Sequence, residues 1–130
     1  MENSYGFGKT VALPFDAALI KVTEELSKEG FGVLTEIDVA ATMKKKLGKE
    51  MPPYRILGAC NPPFAAQALA AEPSIGLLMP CNVVVREDAR GTVQVEFLDP
   101  KPLFELTGRP EVEPLATEVR ARLQRVLRAL

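Results

Sequence analysis

Histidine and tryptophan are absent from this 130-residue chain, and cysteine occurs only twice. Without histidine, one chain cannot assemble a Ser-His-Asp or Cys-His nucleophile pair, a His-bound zinc or haem, or an imidazole proton shuttle. Two cysteines in a chain this long do not make a secreted disulfide scaffold. Long apolar runs are missing as well. The most apolar stretch, from Ile75 to Val85, is interrupted by Pro80, Cys81 and Asn82 and falls far short of a membrane span. No basic segment followed by an apolar one opens the chain, so no signal peptide is expected. The expectation is a cytoplasmic protein with reduced thiols and no membrane partner. Nor is there an excess of either charge. Sixteen Lys+Arg against seventeen Asp+Glu leave a net charge of −1, which gives no global electrostatic reason to bind nucleic acid.

What is present is ordinary in amount and informative in order. Hydrophobic residues make up 47% and charged residues 25%, the proportions of a globular protein. The length suits a single domain over residues 1–130 that hides roughly two thirds of its unfolded surface without a staple. A first strand is predicted from Gly6 to Leu13, and Pro14 then opens a helix. Phe15, Ala18, Leu19, Val22 and Leu26 recur at spacings of three and four, with Glu24, Glu25, Lys28 and Glu29 on the wet side and Gly30 as a left-handed cap. Phe31 to Val39 alternates as a strand, apolar at Phe31, Val33 and Ile37. Asp38 caps a short helix over Val39–Leu47, closed by Gly48.

Tyr54 to Cys60 reads as a third strand, and Asn61-Pro62-Pro63 as the start of a helix that Pro73 ends. Ile75 to Met79 fits either a buried turn or an extended segment. Cys81 to Arg86 and Thr92 to Leu98 flank a turn with glycine at its end and form a β-hairpin. Leu103 to Leu106 offers a single helical turn between prolines, and the last helix is predicted over Glu113 to Leu130. The order β-α-β-(α)-β-α-β-β-α lacks the strict rhythm of a doubly wound sheet. It predicts an α+β two-layer sandwich: one mostly antiparallel sheet of about five strands with the helices on one face.

One constellation stands out. Cys60-Asn61 and Cys81-Asn82 repeat a Cys-Asn dipeptide, each beside a proline. If the third and fourth strands are neighbours, both thiols meet at one end of the sheet. Cys60 also precedes a helix start, where the dipole favours a thiolate. Against this stands the plain reading of two small buried hydrophobes, because free cysteine is among the most buried residue types. The asparagines likewise serve as caps or turn formers. Two thiolates do not complete a tetrahedral zinc shell and no histidine helps. A four-cysteine site across a dimer, or Cu(I) on Cys81 and Met79, satisfies coordination chemistry, but neither has a recognisable spacing, so no metal is assigned.

Glu36 and Asp38 share one face of their strand, as an acid–base pair or as a solvated edge. Arg55 is the cation to watch near the cysteine end. Gly58-Ala-Cys60-Asn61-Pro62 follows a strand and opens a helix, yet its two prolines remove N–H donors that a phosphate would need. Lys44, Lys45, Lys46 and Lys49 lack neighbouring aromatics and read as a solvated face.

The blocks Phe31-Gly-Val-Leu-Thr-Glu-Ile-Asp38, Tyr54-x-Ile-Leu-Gly-Ala-Cys-Asn-Pro62 and Ile75-Gly-Leu-Leu-x-Pro-Cys-Asn-Val-Val-Val85 resemble a bacterial and archaeal family known as domain of unknown function 302. That resemblance covers nearly the whole chain. It implies a small stand-alone α+β domain similar to the TATA-box-binding-protein-like class, and a homodimer. It carries over no catalytic role. The expectation is therefore a non-enzymatic, dimeric domain with a small-ligand or redox-linked site at Cys60, Asn61, Cys81 and Asn82, flanked by Glu36 and Arg55; its cofactor is unknown. The rival is an enzyme with a catalytic thiolate at Cys60, which requires Cys60 to be reachable, beside Arg55 or Glu36, and to titrate below the free-thiol value of roughly 8.5. A third reading makes the motif residues purely structural in a homodimer.

Overall fold

The structure, a computed structural model, describes residues 3–130. Five strands run in the order β1 (Gly6–Val11), β2 (Gly32–Asp38), β3 (Tyr54–Cys60), β4 (Cys81–Glu87) and β5 (Val93–Leu98) along the chain. In space they lie β1-β5-β4-β3-β2, with every neighbouring pair antiparallel. The helices are α1 (Phe15–Lys28), α2 (Val39–Leu47), α3 (Pro62–Ala71), α4 (Pro100–Glu105) and α5 (Glu113–Arg128), and 3₁₀ turns cover Pro73–Leu78 and Pro110–Val112. This is the α+β sandwich that the alternation of strand and helix patterns predicts.

Cross-strand partners share a sheet face. One face carries Leu57, Val83 and Phe97 in register, flanked by Ala59, Val85 and Val95. Against it pack Ala18, Val22 and Leu26 of α1 and Val119, Leu123 and Val126 of α5, all in one buried cluster. A second, smaller cluster joins Ala68 of α3 to Ile75, Phe104, Val112 and Ala116. The opposite face carries a row of cross-strand partners, Ile37, Ile56 and Val84, which continues into Glu96.

Local chemistry sets most of the element ends. Gly30 takes φ +86, and the amides of Gly30 and Phe31 donate to the carbonyls of Ser27 and Leu26, the paired bonds that close a helix through a left-handed residue. Pro14 sits one residue outside α1, and its carbonyl accepts from Ala18. The chain already bends at Ala12 and Leu13, so β1 ends at Val11 and not at Leu13 as expected. Asp38 caps α2 by accepting from the Ala41 amide at 2.9 Å, and Gly48 closes it at φ +64. Ile75 lies in a 3₁₀ turn, which settles the segment the sequence leaves open. The single turn expected at Leu103–Leu106 is instead α4, which begins at Pro100 with Asp99 capping Lys101. The last helix stops at Arg128, two residues short of the expected end.

Two further expectations need correction. Glu25 is not on the wet side: it is 7% exposed, and its carboxylate takes the ammonium groups of Lys28 at 2.8 Å and Lys21 at 3.1 Å. In β2 the register slips between Val33 and Thr35, leaving Leu34 as an extra, exposed residue. The slip reverses which side chains face the helices. Ile37, expected to point inward with Val33, is 49% exposed on the open face, and Glu36 and Asp38 fall on the helix side, opposite Leu57 and Arg55.

Candidate functional site

β3 and β4 are neighbours, and Cys81 pairs directly with Ala59, the residue before Cys60. The two Cys-Asn segments therefore converge at one end of the sheet. Consecutive residues of a strand point to opposite faces, so the register sends the Cys60 and Cys81 side chains to opposite sides of the sheet end. Both are free thiols, and both line one cavity between the sheet end, α3 and α5. Its walls include Phe31, Phe64, Ala65, Met79, Phe104 and Val119.

Gly58 makes this end possible. A Cβ there would lie 2.9 Å from the Pro80 ring and overlap the Thr35 hydroxyl, so glycine lets the strand pass beneath both. The Met79–Pro80 bond is cis and turns the chain from the 3₁₀ segment into β4.

The thiols are electrostatically quiet. Burial raises the Cys60 thiol above its ordinary value. Cys81 is pushed up to about 12, first by burial and then by the neighbouring charge of Cys60. The lowered thiol expected of a residue before a helix start is therefore not found at Cys60.

The asparagines part company. Asn61 holds the cap position of α3, but its side chain makes no capping bond. It is 7% exposed, and its Nδ2 donates to the Glu29 carbonyl at 3.2 Å. The same carbonyl accepts from Arg122 Nη1 at 3.0 Å, so Asn61 ties the α1–β2 loop to the start of α3 while lining the cavity. Asn82 pairs with Gly58 on the other face, is exposed, and borders a separate shallow hollow with Tyr54, Val84 and Glu96.

Arg55 and Glu36 are not at the cysteine end. Arg55 lies near the start of β3, where Nη1 meets Glu36 at 2.7 Å and Nη2 meets Asp38 at 3.2 Å. The Glu36 carboxylate holds the guanidinium firmly charged. This is a half-exposed ion-pair cluster beside α2, with its own neighbours Asp16 and Lys44 in an open hollow. Of the six candidates, Cys60, Asn61 and Cys81 come together; Asn82, Glu36 and Arg55 lie elsewhere.

The sequence reading missed the aromatic walls of the cavity. A signal for them exists in α3, whose stretch from Phe64 to Ala71 is apolar except for Gln67, more than a helix with one wet face requires. Behind Phe64 stands Arg122, its guanidinium carbon 5.1 Å from the ring centre. Among the described residues, no three His, Cys, Asp or Glu side chains stand together as a metal-binding group. Among them, too, no helix is long and apolar enough to cross a membrane.

No curated protein matches the chain. A solved structure does: the crystal structure of an uncharacterized conserved DUF302 protein from Bacillus stearothermophilus superposes with a TM-score of 0.89 at 27% sequence identity, covering 98% of each chain. The family model of DUF302, a domain of unknown function, matches residues 7–130, and with the match spanning nearly the whole sequence the chain belongs to that family.

Proposed function

We propose that the chain is a non-catalytic ligand-binding domain, folded as one unit over residues 1–130 and working as a homodimer in the cytoplasm. Its site is the cavity of Cys60, Asn61 and Cys81. One observation carries the reading: at the end of the sheet, where packing should be complete, an apolar cavity remains beside a buried, unbonded thiol. Native mass spectrometry of protein freshly purified without oxygen tests it. The expected spectrum is a dimer carrying a bound species on each chain; bare chains would overturn the ligand site, and bare monomers the whole proposal.

For the dimer, the supporting feature is the Ile37–Ile56–Val84 row on the open sheet face. Three apolar side chains in line across three strands gain by being covered. Ile37→Lys is expected to give monomers by light scattering at concentrations where the unsubstituted chain is dimeric; an unchanged mass would move the interface elsewhere.

The rival, a thiolate nucleophile at Cys60, asks for a lowered thiol and a nearby Arg55 or Glu36. Burial raises the thiol, and those two residues neutralise one another at the far end of β3. Slow alkylation of Cys60 by iodoacetamide at neutral pH is the expected result, and fast alkylation would restore the enzyme reading.

A further inference from the structure

The chain has two tyrosines, and both line the hollow on the open sheet face that Asn82 borders, together with Val84 and Glu96. Its volume is about 270 Å³, just under the range of about 300–1,000 Å³ usual for drug-sized ligands, which leaves room for one ring system. Tyr5 is 61% exposed, yet its backbone is held on both sides: the amide donates to Asn3 Oδ1 at 3.0 Å and the carbonyl accepts from the Asp99 amide at 2.9 Å. Among the described residues, ring stacking and cation contacts fall on Phe7, Phe97 and Phe64 and on neither tyrosine. Asn82 is the odd residue of β4. Asparagine is disfavoured in strands, and here its side chain is exposed and makes no hydrogen bond to the protein among the described residues. Glu96 is already neutralised by Arg86 at 2.7 Å, and no Lys or Arg is among the lining residues.

Two unstacked phenol rings offer planar apolar contact, and an unpaired amide offers one donor edge and one acceptor edge in a plane. A lining without a cation turns phosphate away. We propose that the hollow is a second binding site, apart from the cysteine-bordered cavity, for a neutral aminopurine carried as base or nucleoside. The ring lies against the tyrosines, and Asn82 pairs with its amino N–H and neighbouring ring nitrogen, the bidentate geometry by which asparagine reads adenine. The hollow shares only Val84 with the Ile37–Ile56–Val84 row, so a bound ring lies beside the surface assigned to the second copy. Open to solvent, the site is expected to hold adenosine with a Kd of about 0.1–1 mM, weak enough to be lost during purification.

The test is a titration of the isotope-labelled, full-length chain with adenosine, followed by its amide NMR shifts. AMP, adenosine dimethylated on its amino group, and glucose run in parallel arms. Saturable shifts are expected around Asn82, Val84 and Glu96, with AMP and the dimethylated nucleoside each weaker by about tenfold and no response to glucose. Tyr5→Ala and Asn82→Ala are each expected to weaken adenosine about tenfold, and Asn82→Ala to stop telling it from the dimethylated nucleoside; the amide spectra report that both have folded. Ala65→Phe, which fills the other cavity, is expected to bind adenosine unchanged. Absence of saturable shifts, AMP bound more tightly than adenosine, glucose moving the same amides, full binding by Asn82→Ala, or loss of binding in Ala65→Phe overturns the assignment.

Discussion

Gly58 shows how one residue type can decide the geometry of a site. Its missing Cβ is the space in which the Pro80 ring and the Thr35 hydroxyl meet over β3. Gly58→Ala is expected to destabilise the chain by about 1–3 kcal/mol, as overpacking of a tight site does, read from the midpoint of urea unfolding. Adding Thr35→Ala should recover part of the loss by removing one of the two obstructions; an unchanged midpoint for Gly58→Ala contradicts the close approach. At this scale the sequence was partly legible. That the Cys60 and Cys81 segments converge follows from placing two strands side by side, β4 being readable from its run Val83–Val85 and β3 from its place between the Pro52-Pro53 break and the Asn61-Pro62 helix start. That Asn61 reaches across to the carbonyl of Glu29 is not readable, because the partner is a backbone atom 32 residues away, offered only once α1 has ended.

At the scale of the element, β2 teaches most. Its alternation is plain in the sequence, yet the extra residue at Leu34 turns its second half over. A bulge depends on the partner strand's register as much as on its own residues, so periodicity alone does not reveal it. The consequence is chemical: Glu36 and Asp38 face Arg55, and Asp38 holds both a guanidinium and the start of α2. The cap should matter more than the half-exposed ion pair, since such pairs contribute little in water. Asp38→Ala is accordingly expected to cost about 0.5–2 kcal/mol and Asp38→Asn, which keeps a capping oxygen, clearly less; thermal unfolding of the two variants compares them. Equal losses would give the ion pair the larger share. By contrast, α1, α2 and the β4–β5 hairpin were legible because their signals are local. The hairpin turn is held by Asp88, which accepts from the amides of Arg90 and Thr92, with Gly91 at φ +78.

For the whole molecule, the titrating groups set the pH range of stability. Glu25, Glu72 and Asp88 are held below their ordinary values, Glu25 by Lys28 and Lys21, Glu72 by Arg109, and Asp88 by the Thr92 amide. Stability from these groups is present above the unfolded carboxylate values near 4 and fades as pH falls through the lower folded ones. The thiols act in the opposite direction. Cys81 titrates near 9 when unfolded and at about 12 when folded, so the chain is expected to lose stability as pH rises between those limits. The folded-to-unfolded ratio should fall about tenfold per pH unit for that one thiol. Cys81→Ala should flatten this alkaline limb in denaturant titrations from pH 8 to 11, and an identical limb in both proteins would mean that the thiol is not buried in the solvated ensemble.

The same buried thiol brings the scales together, since the fold places it, a glycine makes room beside it and the proposed function rests on the cavity it borders. Native mass spectra of the unsubstituted chain and of Ala65→Phe, purified side by side without oxygen, test that claim most directly, because the larger ring fills the cavity from α3. The account predicts a bound species on each unsubstituted chain and none on the folded Ala65→Phe chain. The same bound mass on both proteins would contradict it.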